Sequence, residues 1–189
     1  MGALKKNHLI SDARRKRREQ IVNAARALVG ASAGDDFDPV HSSLCPLDVV
    51  MVAGAPWLKE ALERDYSKDE SGYKKIGGGA NTPKMSYFFR SVANLMHFLK
   101  RQGLYIPRGE NPGPAAGMAC FFDWSDRGRF NFSPDRSGII VAVDDSRIQA
   151  IVLPQPHQTD SANKFVVREV SIEPKSVQDF AIIGYSDLP

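Results

Sequence analysis

The sequence predicts an α+β fold, with helices in the N-terminal half and a small antiparallel sheet in the C-terminal half. Apolar residues recur at helical spacing in three segments before residue 104. After residue 117 the pattern changes to short β-branched and aromatic runs, separated by clusters of Asp, Gly, Ser and Pro. Helices followed by strands indicate a sheet with helices packed on one side.

Three helices are predicted from apolar periodicity and end signals. The first covers 12–29, where Ser11 or Asp12 can cap the start and Gly30 supplies the stop. The second covers 45–67, with a proline at its first helical position and a break near 53–56. The third covers 91–103 and ends at a glycine. The polar, glycine-rich segment between the second and third helices is predicted to be a loop.

Five strands are predicted in the C-terminal half, enough for a sheet of four to six strands. Each is a run of six to nine residues rich in Val, Ile, Phe or Ala and bounded by turn-forming residues. The predicted strands are 118–124, 137–144, 148–154, 164–172 and 181–186.

The chain has 189 residues, which suits one domain over 12–189 preceded by a flexible arm over 1–11. Its 42% hydrophobic and 25% charged residues are ordinary for a globular protein. No apolar run approaches the ~18 residues of a membrane span, so no membrane insertion is expected. No apolar stretch follows the basic N-terminus, so no signal peptide is predicted and the location stays open, with export or action in the periplasm among the alternatives.

The net charge of +3 is concentrated at the N-terminus. Basic residues cluster at Arg14–Arg18, whereas the chain beyond residue 18 carries a slight acidic excess. The cluster is interpreted as a solvated helix face, with a site for phosphates or teichoic-type polymers as the alternative. Aromatic residues do not interleave with the basic ones, so no nucleic-acid partner is expected.

Cys45 is the candidate nucleophile. It follows a polar loop and immediately precedes Pro46 and an apolar helical run, which places its sulfur at a helix N-terminus. The dipole and the unpaired N–H groups of a helix start favour a thiolate, the form that attacks amide carbonyls. The alternative is a small buried hydrophobe, the commoner role of a free cysteine. Two cysteines are no disulfide framework, and both are expected to be free.

The segment GMACFFDWSDRGRFNFSPDRSGIIVAVD (117–144) resembles the paired strands of the papain-like cysteine peptidases and amidases of the NlpC and CHAP group. In that group a Phe-Phe-Asp-Trp strand precedes a strand of the form Asp-His-x-Gly-Ile-Val. The order of ARALVG (25–30), a loop and a Cys at a helix start is also similar, and RSVANLMHFLKRQG (90–103) resembles a helix of related families of unknown function. The resemblance spans about 21–153 and implies a papain-like fold with Cys45 as nucleophile.

The sequence departs from that group at the general base. Arg136 stands where the resemblance implies the catalytic His, and an arginine stays protonated at neutral pH. Three accounts are compatible with this: His157 or His41 has taken over as base; the domain is inactive and binds a ligand or partner; or Arg136 lowers the pKa of Cys45 as a neighbouring cation. Arg136 and Asp135 are the candidate substrate-binding residues.

The remaining candidates have plain structural interpretations. His97 is predicted to be a partly buried packing residue of the third helix, and Cys120 a packing residue of a central strand. No zinc, calcium or nucleotide motif occurs with its required spacing, so no metal and no cofactor are expected.

The resemblance implies hydrolysis of amide bonds in peptidoglycan stem peptides by peptidase or amidase action. The expected partner is then a peptidoglycan fragment or another peptide, and delivery as a secreted antibacterial effector is one compatible route. The alternative is a catalytically inactive papain-like domain that acts as a binding module, with a protein as partner.

Overall fold

The computed structural model describes residues 2–30, 49–50, 53, 56–77, 81–85, 88–89, 91–123, 136–144, 147–153, 167–172 and 181–188. Within these ranges the chain forms four helices, followed by an antiparallel sheet of six strands, which confirms the predicted α+β class. The helices are α1 (Gly2–Ala27), α2 (Pro56–Tyr66), α3 (Glu70–Gly77) and α4 (Val92–Arg101). The strands are β1 (Tyr105–Pro107), β2 (Ala119–Asp123), β3 (Arg136–Val143), β4 (Ile148–Val152), β5 (Arg168–Ile172) and β6 (Ala181–Ser186).

The strand order is β1-β6-β2-β3-β4-β5, and every neighbouring pair is antiparallel. Strands β2 to β5 follow one another as a meander, whereas β6 returns to lie between β1 and β2. The last strand is therefore inserted inside the sheet rather than added at an edge. This makes β2 and β3 the two central strands, with neighbours on both sides.

Both faces of the central strands are buried, and alternation along each strand assigns the side chains to a face. Ala119 and Phe121 of β2 and Ile139 of β3 belong to one apolar cluster with the helices, here called the helix-facing cluster. The intervening residues of β2 and β3 belong to a second apolar cluster, which contains no residue of the four helices. The side of the sheet on which this cluster lies is here called the second face. Its members on these strands are Cys120, Phe122 and Ile140.

Helix α1 packs through its C-terminal half. Ile21, Val22 and Ala25 are buried in the helix-facing cluster, whereas Val29, the last residue of the helix predicted over 12–29, is 47% exposed and lies beyond the helix end. The helix begins at Gly2 rather than at Ser11 or Asp12, so it includes the segment predicted as an arm. The flexibility of that segment stays a prediction.

Helix α3 corrects the prediction of a loop over 68–83. The carboxylate of Asp69, just before the helix, accepts the backbone N–H of Gly72 at 3.3 Å, in the manner of an N-cap. Tyr73 is fully buried, and Glu70 pairs with Lys74 one turn later at 2.5 Å. One buried aromatic ring and a capping carboxylate thus stabilise a helix that its glycines disfavour.

Helix α4 has the ends that the sequence predicts. The Ser91 hydroxyl accepts the backbone N–H of Asn94 at 3.2 Å as an N-cap. At the other end Gly103 has φ +66, and the N–H of Leu104 donates to the carbonyl of Leu99 at 2.9 Å. This is the Schellman arrangement, which turns the chain into β1.

Helix α1 is docked against the turn before β2 at Gly117. This residue has φ +84, and a Cβ there would lie 2.7 Å from the Cα atom of Arg18. Next to this contact the guanidinium of Arg18 donates to Asp187 through Nε at 2.8 Å, and Arg14 pairs with the same carboxylate. The helix is therefore held both to the turn and to the C-terminal end of the chain.

We expect Gly117→Ala to lower the free energy of unfolding by about 3 kcal/mol, because it combines a left-handed backbone with a clash against a helix backbone. Gly109→Ala is the matched control: Gly109 has φ +87 with open space around it, so its cost is about 1 kcal/mol. Urea unfolding of both variants measures the difference. Equal losses would contradict the close packing of α1 on this turn.

Candidate functional site

The described residues contain one of the five predicted site residues. Cys45, His41, His157 and Asp135 lie outside them, and Arg136 is the first residue of β3. The roles assigned to these five residues stay predictions. The described residues that follow Cys45, and those around Arg136 at the start of β3, define the surroundings of the predicted site.

Three helical residues that follow Cys45 in sequence are buried in the helix-facing cluster. Val49 and Val50 are 1% and 0% exposed, and Ala53 is buried as well. All three belong to the helix-facing cluster together with Phe121 and Ile139. The chain four residues after Cys45 is therefore packed on the same face of the sheet as α1, α2 and α4.

Arg136 is buried, with 6% exposure, but it is directed to the second face. It is paired across the ladder with Phe122, and directly opposed residues of an antiparallel pair project to the same side. Phe122 belongs to the second face. Val152 does too, and it is paired with Gly138, which lies two residues after Arg136 on β3. Strand geometry thus directs Arg136 away from the helices.

Two other polar residues at this end of the sheet are directed to the helix side. Ser137 is paired with Phe121, and Asp123 follows two residues after Phe121 on β2, so both share the face of that ring. Their exposures are 1% and 3%. A buried carboxylate and a buried hydroxyl therefore end an otherwise apolar stretch of two central strands.

Cys120 has the packing role that the sequence predicts. It is a free, fully buried thiol in the middle of β2, and its Sγ lies 3.5 Å from the carbonyl oxygen of Gly138. Burial raises the pKa of this thiol well above its usual value. Such a thiol is a poor nucleophile.

A second polar cluster lies among the helices and was not predicted. The buried carboxylate of Asp65 on α2 accepts three side-chain donors: the Tyr73 hydroxyl at 2.9 Å, Arg101 Nε at 2.9 Å and Gln102 Nε2 at 3.2 Å. Burial and the neighbouring Asp65 raise the pKa of Tyr73, so its hydroxyl remains a donor. This carboxylate joins α2, α3 and α4.

His97 on α4 has a carboxylate partner in addition to its predicted packing. Its Nε2 lies 2.8 Å from Asp69 Oδ2, and its ring packs edge-on against Tyr73 at 4.8 Å between centroids. Arg101 Nη1 lies 3.2 Å from the same oxygen. The hydrogen bond from His97, together with Arg101, lowers the pKa of Asp69.

The sequence does contain a signal for this cluster. Asp65 on α2 and Asp69 just before α3 are four residues apart, and so are His97 and Arg101 on α4, so that two acidic groups lie opposite two basic ones. A comparison of charge spacing between predicted helices would have paired them. The prediction of a loop around Asp69 prevented that comparison.

The glycine-rich segment before α4 contains a residue that is firmly anchored. Asn81 and Asn94 are buried and exchange side-chain amide hydrogen bonds at 2.7 and 2.9 Å. Asn81 also donates to the carbonyl of Tyr73, and Asn94 to that of Phe88. These bonds satisfy the amides within the protein.

The basic cluster of α1 is largely engaged within the molecule. Arg14 and Arg18 pair with Asp187, Arg15 pairs with Asp12 at 3.4 Å, and the Arg17 guanidinium lies 4.7 Å above the ring of Trp57. The interpretation as a merely solvated face is therefore incomplete. These contacts compete with any external phosphate for the same guanidinium groups.

The described ranges contain neither a bilayer-spanning helix nor a cluster of metal ligands. None of their helices has both the length and the apolar character needed to cross a bilayer. They contain no group of three or more His, Cys, Asp or Glu side chains arranged to hold a metal ion.

Comparison of the sequence with protein-family models and with curated proteins finds no match.

We expect Asp65→Asn to lower the free energy of unfolding by about 2 kcal/mol, because Arg101 loses one of its two counter-charges and keeps only Asp69. The loss is smaller than for a fully buried pair, since Arg101 is one-third exposed. Glu63→Gln, on the exposed side of the same helix, is the control and should cost less than about 0.5 kcal/mol. Similar urea midpoints for the two variants would refute a stabilising role of Asp65.

Asp69 should contribute to acid sensitivity. Its pKa is lowered in the folded protein from the ordinary value of 3.8, so its contribution is present above about pH 4 and is lost as the pH falls through the lowered pKa. Asp69→Asn should therefore flatten the fall of the melting temperature between about pH 4 and pH 2. An unchanged slope, equal to that of an exposed control such as Glu60→Gln, would contradict this assignment.

Proposed function

We propose that the chain is a cysteine-dependent hydrolase that cleaves amide bonds in peptidoglycan stem peptides, with Cys45 as its nucleophile. Its main support is the order of motifs in the sequence: a cysteine at a predicted helix start, then the Phe-Phe-Asp and Gly-Ile-Ile-Val strands. The observation that carries it furthest is the burial of Val49 and Val50 in the apolar cluster that also contains Phe121 and Ile139 of these strands. These two valines, four and five residues after Cys45, are then part of the core on the helix side of the two central strands.

The proposed reaction is acyl transfer to the thiol. The Cys45 thiolate attacks the amide carbonyl, and backbone N–H groups at the helix start stabilise the oxyanion of the tetrahedral intermediate. The intermediate collapses to a thioester as the C–N bond breaks and the leaving amine takes a proton. Water then hydrolyses the thioester and regenerates the thiol.

A histidine is the favoured proton carrier in this proposal. An arginine cannot protonate the leaving amine and then take a proton from water, because the guanidinium stays protonated at neutral pH. The direction of Arg136 towards the second face also argues against its acting on a thiol on the helix side. His41, four residues before Cys45, and His157, after β4, are the two candidates for the base.

Arg136 and Asp135 remain candidate substrate contacts. A guanidinium can bind the carboxylate of a stem peptide, and a carboxylate can bind its amine. Arg136 at the expected base position also supports a second candidate function, an inactive papain-like domain that binds a peptide or a protein.

The first test is the rate of iodoacetamide labelling of Cys45 between pH 5 and 9. For a hydrolase we expect an apparent thiol pKa well below 8, and His41→Ala or His157→Ala should raise it, since loss of an imidazolium removes stabilisation of the thiolate. Cys45→Ala is the control, because the remaining Cys120 is fully buried.

Digestion of muropeptides follows the labelling. A protein with an activated Cys45 should release amide-cleavage products from muropeptides, and Cys45→Ala should abolish this release. A slow thiol with an ordinary pKa, indifferent to both histidine substitutions and inactive on muropeptides, would exclude the hydrolase and favour the binding module.

A further inference from the structure

Helix α3 is held to α4 by a stripe of polar side chains. Asn94, His97 and Arg101 are spaced three and four residues apart, which places them on one face of α4. His97 and Arg101 contact Asp69 at the start of α3, at 2.8 and 3.2 Å. Asn94 exchanges side-chain hydrogen bonds with Asn81, which lies just after α3. The stripe therefore fastens the chain at both ends of α3.

Helix α3 needs this fastening because it has little stability of its own. It has only eight residues, contains Gly72 and ends at Gly77, and isolated helices of this length are unstable in water. Tyr73 anchors it in the core and donates a hydrogen bond to Asp65. The docked position of α3 thus depends on a few contacts, and a change in one of them shifts the balance between docked and open forms.

In the described part of the chain, the charges around His97 are unbalanced while its ring is neutral. Asp69 approaches the ring from the start of α3, and Arg101 lies one turn further along α4. Asp65 of α2 shares Arg101, and the uncharged ring of Tyr73 packs edge-on against the imidazole. Two carboxylates therefore face one guanidinium. A proton on His97 gives two charges of each sign.

We infer that His97 is a pH-sensitive latch for α3: protonation of its imidazole turns the hydrogen bond to Asp69 into an ion pair and holds α3 more firmly on α4. Histidine changes its charge between about pH 5 and pH 8. Asp69, whose pKa is lowered by the hydrogen bond from His97 and by Arg101, stays ionised over that range. The gain is present while His97 is protonated and is lost as the pH rises and the ring becomes neutral.

The latch does not depend on the proposed hydrolase, because none of its residues belongs to the predicted site. Its strength is limited by solvent, since the side chains of His97 and Asp69 are 26% and 21% exposed. An ion pair in such a position changes the opening equilibrium of α3 by about threefold.

Hydrogen exchange of backbone amides tests the latch. The amides of Tyr73–Gly77 should exchange faster than those of α4, which would show that α3 opens by itself. Their protection, corrected for the intrinsic exchange rate at each pH, should rise about threefold from about pH 8 to about pH 5. His97→Gln should remove this rise, because its neutral amide can donate a hydrogen bond but does not titrate. His8→Gln, at a histidine of α1, is the matched control and should keep the rise.

Protection of α3 that is the same at both pH values in the parent protein would overturn the inference, and so would a rise that persists in His97→Gln. The same holds if α3 exchanges as slowly as α4, since α3 would then open only with the whole fold. If His97→Gln does not fold, Asp69→Asn decides. It removes the counter-charge of the imidazolium, so the rise should disappear, and its persistence there would also overturn the latch.

Discussion

The burial of β2 and β3 on both faces is the constraint on which the rest of the structure depends. Helices cover one face through Phe121 and Ile139, and the second face is a separate apolar cluster around Cys120 and Phe122. Charged side chains are disfavoured in the middle of a strand that is buried on both sides, because each unpaired charge there would cost several kcal/mol. Polar groups of the central strands are consequently found at one end, at Asp123, Arg136 and Ser137.

The sheet was predictable because its strands are short runs of branched and aromatic residues with clear boundaries. The prediction for 181–186 matches β6 in full, and the predictions for β2, β3 and β4 differ by two residues or fewer at each end. β1 was missed because it is a three-residue edge strand that ends in Pro107, and it exists through pairing with β6 rather than through its own propensity. Long-range pairing of this kind leaves no local signal.

The helical half was predicted less completely because tertiary contacts decide it. α3 contains Gly72 and ends at a run of glycines, so local propensity favours a loop. The buried Tyr73, its hydrogen bond to Asp65 and the contacts of Asp69 with His97 and Arg101 reverse that preference. Apolar patterning predicts α4 as a core helix. It gives no information about His97 and Arg101 of this helix, whose contacts with Asp69 hold the start of α3 in place.

The candidate site illustrates how a one-residue difference along a strand changes its chemistry. A motif aligned by spacing equates Arg136 with a catalytic histidine, yet adjacent residues of a strand project to opposite faces. Arg136 shares its side with Phe122, whereas Ser137 and Asp123 share theirs with the helices. An arginine at position 136 therefore does not by itself decide between the proposed hydrolase and the proposed binding module, because it lies on the side of the sheet away from the helices. Sequence alone could identify the strands, but choosing the side of the sheet required the ladder register, and that register directs Arg136 away from the helices.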